Sequence, residues 1–171
     1  MTYDITQLYN KTIFIDANAI IYHLQGLSSV AKDIFKLAEQ KKVRLITTTR
    51  VIDEVIHKIL LIRAREKFGI TAKTIPKLRK DKTKVKALSE DIRIIFEFIQ
   101  TIHLQIKPIS YNDLKKLPDM MKSFGLLGSD SLILVMMNKF RLKFLLSSDP
   151  DFQNIDWITL IPALPEVSQS E

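Results

Sequence analysis

Two short apolar runs, each closed by an aspartate, constrain this 171-residue chain more than any other feature. The first is Ile13-Phe14-Ile15-Asp16 and the second is Phe144-Leu145-Leu146-Ser147-Ser148-Asp149. A short apolar run without polar alternation reads as a strand buried on both faces, the kind found in parallel sheets. In open sheets of this kind, ligands and chemistry gather at the C-terminal ends of the strands. Both aspartates stand at such ends, so one acidic site on the rim of one sheet is expected.

Helical and strand patterns alternate around these runs. After a polar lead-in over residues 1–12, the first strand covers Ile13 to Asp16, and a short helix or turn from Ala19 to Leu24 ends near Gly26. Ser28 is placed to cap a helix carrying Ala31, Ile34, Phe35, Leu37 and Ala38, with Lys41 and Lys42 at its C-terminus. Val43 to Thr47 reads as the second strand. Thr48 or Thr49 then caps a helix with Val51, Ile52, Val55, Ile56, Ile59 and Leu60 on its apolar face. Val85 to Thr101 repeats the helical pattern through Leu88, Ile92, Ile95, Phe96 and Ile99. His103 to Ile109 is expected as the third strand. Ser110 and Asp113 form a capping-box pair at the next helix, which Gly125 and Gly128 break. Asp130 to Phe140 is so apolar that it is expected to be central. Leu142 to Ser148 and Trp157 to Leu160 are the fourth and fifth strands. The class is therefore α/β, a three-layer α/β/α arrangement with a mostly parallel central sheet of about five strands. Residues 1–164 read as a single domain, with 63–86 as a basic helical extension or insertion and 165–171 as a polar tail.

Charge narrows the choice of partner. The net charge is +7, and the stretch from Arg63 to Lys86 alone holds ten basic residues against Glu66 and Asp81. That segment therefore carries the whole basic excess and favours an anionic partner. Its Arg63, Arg65, Lys77, Arg79, Lys80, Lys82 and Lys84 are candidate contacts to a phosphate backbone. With no Cys there is no disulfide framework and no thiolate zinc site, which is consistent with a cytoplasmic location. No apolar stretch approaches the length of a membrane span, so no membrane partner is expected.

Four carboxylates fall where such a sheet would bring them together. Asp16 and Asp149 end strands, Glu54 lies in the first turns of a helix, and Asp130 opens the central helix after Gly128-Ser129. Mutual repulsion would raise their pKa values unless a divalent cation neutralised them. Oxygen-only ligands suit Mg²⁺ or Mn²⁺, ions that activate a water and stabilise charge developing on a phosphodiester. Two alternatives stay open at this level. Asp53 competes with Glu54, since adjacent helical residues point in different directions, and Asp151 competes with Asp149. Asp16, Asp130 and Asp149 also suit plain capping or turn roles. His57 follows Glu54 by three residues, but it lacks the second Glu-x-x-His pair of the carboxylate bundles. Neither a serine triad pattern nor a glycine-rich phosphate loop is present.

Phe14-Ile15-Asp16-Ala17-Asn18, the helix bearing Glu54, Gly128-Ser129-Asp130-Ser131-Leu132-Ile133 and Leu146-Ser147-Ser148-Asp149-Pro150-Asp151-Phe152 resemble, in order, the four signatures of the PIN-domain nucleases. In size and layout the chain is similar to the VapC toxins of toxin–antitoxin pairs. The resemblance implies a Mg²⁺- or Mn²⁺-dependent ribonuclease, commonly dimeric. It places metal binding and catalysis on Asp16, Glu54, Asp130 and Asp149, and makes Asn18 and Ser148 groups that orient carboxylates or water. RNA would be the substrate, with a homodimer and an antitoxin protein as partners. Ser131 departs from the alanine common after the third acid, and the basic segment looks like an extension to the usual toxin. A stand-alone PIN endonuclease of RNA processing, or a non-catalytic basic RNA-binding or scaffold protein, are the alternatives.

Overall fold

The computed structural model describes residues 5–164, so the polar tail at 165–171 lies outside the described residues. Five strands form one parallel sheet: β1 (Thr12–Ile15), β2 (Arg44–Thr48), β3 (Gln105–Lys107), β4 (Phe144–Ser147) and β5 (Thr159–Pro162). Their order across the sheet is β3-β2-β1-β4-β5. The two apolar runs singled out above are thus neighbours at its centre, with Ile13, Phe14 and Ile15 paired to Phe144, Leu145 and Leu146. Ile13, Phe14, Ile15, Leu145 and Leu146 are fully buried, which requires helices on both faces. The helices are α1 (Ala17–Leu24), α2 (Ser29–Glu39), α3 (Thr49–Phe68), α4 (Ile75–Lys80), α5 (Lys82–Thr101), α6 (Tyr111–Leu114), α7 (Leu117–Phe124) and α8 (Gly128–Lys139). The expected central helix is α8, whose residues from Ser131 to Met137 are all buried.

Several boundaries shift for one physical reason. Helices α2, α5 and α8 each pass into the next strand through a non-glycine residue in the left-handed region: Lys41, His103 and Arg141. At each turn two amides bond back into the last helical turn, as when Leu104 N–H donates to the Ile99 carbonyl at 3.1 Å and Leu142 N–H to that of Met137 at 2.9 Å. These closures are Schellman-like, with a basic residue where glycine is usual and where a cation suits the helix dipole. Because His103 terminates a helix, the third strand is only Gln105–Lys107 rather than His103 to Ile109. The fifth strand begins at Thr159 instead of Trp157. The lead-in is partly structured too. A 3₁₀ turn over Ile5–Leu8 buries Leu8 completely.

The basic segment is the far end of a helical hairpin. α3 runs for 20 residues from the sheet rim, and α5 packs back along it. Gly69 ends α3 in the left-handed conformation, while Pro76 lies in the first turn of α4 rather than interrupting a helix. Ala64, Leu78 and Leu88 form a small separate core at the tip. Asp91 of α5 is buried and ion-paired to Lys67 at 2.6 Å, which ties the two long helices together. Phe96, expected on the apolar face of α5, is instead 46% exposed.

Ser131, the departure from alanine, has a structural role. It is fully buried, and its hydroxyl donates to the Leu126 carbonyl at 3.0 Å, fastening the α7–α8 loop over the start of α8. Ser131→Ala should lower stability by about 1 kcal/mol in urea unfolding, because the buried carbonyl loses its side-chain donor.

Candidate active site

β1 and β4 lie side by side where the strand order reverses, which is where open α/β sheets leave a crevice beyond their carboxyl ends. Asp16, Glu54, Asp130 and Asp149 line one cleft there, of about 90 Å³. A larger hollow of about 450 Å³ lies at the α3–α4 elbow, lined by Leu61, Ile62, Arg65, Ile70, Thr71 and Ile75. Its lining holds no carboxylate, so the acids gather in the smaller cleft.

Asp16 sits at the junction of strand and helix. One carboxylate oxygen accepts the Ala17 N–H at 2.6 Å, so it is also the N-cap of α1. The other accepts from Asn18 Nδ2 and from the Ser147 hydroxyl, both at 2.7 Å. The Ser147 oxygen in turn accepts the Asp149 N–H at 3.0 Å, and Asn18 Oδ1 accepts the Ser148 N–H at 2.9 Å. This web joins the end of β1 to the end of β4 and fixes both aspartates. Ser148 enters it through its backbone. The side chain in that position is Ser147, which the sequence reading passed over. Its signal was a hydroxyl at an inward-facing position of an otherwise apolar strand.

Glu54 and Asp53 separate cleanly. Thr48 caps α3, and the helix then turns Glu54 into the cleft while the Asp53 side chain is 78% exposed and pairs with Arg50 at 3.6 Å. Glu54 is paired to Lys58 at 2.7 Å, and both Lys58 and Arg50 line the same cleft. These two cations were not anticipated, although both lie four residues from Glu54 and so share its helical face. Asp130 is the third residue of α8, half-buried, with the Ser129 hydroxyl 3.4 Å away. Asp149 lines the cleft and also accepts the Asp151 N–H at 2.9 Å, opening a 3₁₀ turn over Pro150–Asn154. Asp151 is exposed and outside the lining, as is His57. Tyr22, Phe124 and Trp157, aromatic rings of a kind that stack on bases, are partly buried against the core instead.

The carboxylates disturb one another. Burial pushes the Asp16 carboxyl up to about 6, against the Ser147 and Ala17 hydrogen bonds, with Glu54 and Asp130 adding repulsion. Burial, then Asp149, Asp151 and Glu54, raises that of Asp130. A family profile, that of the PIN domain, matches residues 13–158, which span all four acids. The chain belongs to the PIN-domain family. It is 30% identical over 155 residues to "Ribonuclease VapC2" of Methanocaldococcus jannaschii, covering 91% of this chain and 96% of that protein. It is 26% identical over 152 residues to "Ribonuclease VapC6" of the same organism, covering 88% and 97%. Two solved structures share the fold. One is a toxin–antitoxin complex from Klebsiella pneumoniae (TM-score 0.52, 18% identity, 90% of this chain and 99% of that one). The other is VapBC2 from Rickettsia felis bound to a DNA fragment from their promoter (TM-score 0.56, 15% identity, 88% and 98%).

The donor chemistry of this PIN site fits a hard divalent cation. Four carboxylates share one cleft, and the most buried of them, Asp16, makes no ion pair among the described residues. As placed, no three acidic or histidine side chains among the described residues stand close enough to hold an ion. Asp16 spends its oxygens on the β1–β4 web, and Glu54 is turned to Lys58.

The basic segment lies at a distance. Along α3, Arg65 is about 16 Å beyond Glu54. Arg63 pairs with Glu66 at 2.7 Å, and Lys84 pairs with Asp81 at 3.2 Å and lies over the Phe68 ring. Among the described residues, no ion pair involves Arg65, Lys77, Arg79, Lys80 or Lys82. Among the described residues, no single helix is long and apolar enough to cross a membrane.

The Asp16 environment sets a pH dependence. Its folded pKa of about 6 lies above the usual 3.8, so the native state binds this proton more tightly than the unfolded chain. The stability this gives is complete below about pH 4 and is lost as pH rises through 6. In chelator, the stability of Asp16→Asn relative to wild type should therefore improve by on the order of 3 kcal/mol between pH 4 and pH 7. Denaturant unfolding at the two pH values measures it. A difference independent of pH would mean that the carboxyl is not strained in the ion-free fold.

Proposed function

We propose that this PIN protein is a metal-dependent endoribonuclease and the toxin of a VapBC-like pair. The observation that carries the reading is the convergence of Asp16, Glu54, Asp130 and Asp149 on one cleft, with Asp16 buried and repelled by Glu54 and Asp130. Two relatives named ribonucleases, similar over nearly their whole length, support the same activity. The four acids would hold Mg²⁺ or Mn²⁺, with Asp151 outside the set. When bound, such an ion supplies a water of lowered pKa and a positive charge opposite the phosphodiester in the transition state. The chain's own groups do the rest. Asn18 and Ser147 hold Asp16 in one orientation through its inner oxygen, and the Ser148 amide keeps Asn18 from rotating. Half-buried Asp130 brings a further negative charge to the mouth of the cleft.

Single-stranded RNA would run from the cleft along α3 to the hairpin tip, where Arg65, Lys77, Arg79, Lys80 and Lys82 take its phosphates. Arg63 and Lys84 contribute less, being held by Glu66 and Asp81. An antitoxin partner is supported by the two solved structures that share the fold, both of them toxin–antitoxin complexes. A homodimer completes the assembly.

Purified protein should cleave RNA with Mg²⁺ or Mn²⁺, lose activity in chelator, and lose at least about a hundredfold in Asp16→Asn or Asp130→Asn. Cleavage that persists in chelator would sink the metal-dependent reading. Arg79→Glu, Lys80→Glu and Lys82→Glu together should weaken RNA binding and flatten its salt dependence, leaving calorimetric metal affinity unchanged.

A further inference from the structure

α3 presents Arg50, Glu54 and Lys58 to the cleft at successive four-residue steps. The two cations differ in what they hold. Arg50 stands 3.6 Å from Asp53, an exposed acid outside the cleft lining. Lys58 Nζ stands 2.7 Å from Glu54 Oε1, and among the described residues no other cleft carboxylate has an ion-pair partner. An ammonium beside a carboxylate draws off its negative charge and fixes its direction, so it weakens the group as a ligand to a second cation, and Glu54 is one of the ligands that the ion site needs. The Lys58 side chain is 49% exposed, so its ammonium can swing on a flexible stem without any backbone movement.

We propose that Lys58 is a positioning residue that holds Glu54 away from the ion and gives it up when a backbone phosphate of bound RNA takes its ammonium. The inference rests on the ribonuclease reading and adds a control to it. In the ion-free cleft, the ammonium supplies positive charge to the acids. When a divalent ion enters, ion and ammonium compete for Glu54 and repel each other. A phosphate entering the cleft removes the competitor by pairing with it. Two ligands that each favour the released lysine must strengthen one another's binding, equally in both directions. The site is then fully assembled only with substrate present.

The test is calorimetric titration of Mn²⁺ into the whole protein, alone and saturated with a phosphorothioate-linked single-stranded RNA that resists cleavage. Wild-type protein should bind Mn²⁺ several-fold more tightly with the oligonucleotide. Lys58→Met should bind Mn²⁺ alone about two- to tenfold more tightly than wild type, the range set by a surface ion pair plus one nearby charge. The oligonucleotide should then give it no further gain. Lys58→Arg should keep the coupling. Arg50→Met removes the same charge from the same cleft, so a smaller effect there separates release of Glu54 from simple charge loss. Lys58→Met with wild-type Mn²⁺ affinity, or with the coupling intact, overturns the proposal, as does an uncoupled wild type. Wild-type protein that binds neither Mn²⁺ nor the oligonucleotide overturns instead the ribonuclease reading beneath it.

Discussion

The whole site hangs on a carboxylate that the fold buries at the seam between β1 and β4. Asp16 ends one central strand and accepts the hydroxyl of Ser147, which ends the other. A buried charge is tolerable only where hydrogen bonds replace water, and here three donors do so: the Ala17 amide, the Asn18 side chain and the Ser147 hydroxyl. The donors do not fully offset the loss of solvent, because the carboxyl still titrates near 6. The same bonds that make burial possible also set the direction of the inner oxygen and, through the Asp149 amide, the start of the next loop. Stability of the sheet centre and geometry of the cleft are therefore one construction, and a change to either is felt by both.

Much of this was legible in the sequence because parallel strands buried on both faces leave unmistakable apolar runs. Asp16 and Asp149 announced themselves as polar residues closing such runs, and Asp130 by its place at the head of an all-apolar helix. Glu54 could not be told from Asp53 by type alone. Helical geometry within α3 separates them, and that depends on which residue the Thr48 cap makes first. The strand ends were misplaced where helices stop without glycine. His103 and Arg141 take the left-handed conformation at a steric cost that only the surrounding turn makes visible. Ser147 was missed because a serine at a strand end reads as solvated unless its neighbours across the sheet are known.

The charge pattern looks different in three dimensions. A run of ten basic residues in sequence is not one uniform surface. Lys67 is committed to buried Asp91, and Arg63 lies 3.9 Å from the same acid, so part of the positive charge holds the hairpin itself together. What remains outward lies toward the tip, well away from the acids. Nearer the chemistry the balance reverses, and Lys58 and Arg50 are the cations that share a cleft with four carboxylates.

The unbroken run of α3 from the sheet rim to Gly69 makes the hairpin a ruler. Glu54 is fixed near its zero mark by the Thr48 cap, and the basic tip is its far mark. Adding seven residues to α3 and a matching seven to α5 would move the tip outward by about 10 Å while turning it little, since seven residues are nearly two full turns. Adding only two to each would swing the tip by more than half a turn at almost the same reach. Hairpin length in proteins built this way is thus free to vary in steps of whole turns, which offers a route to change the distance from acidic cleft to basic tip while the cleft stays as it is.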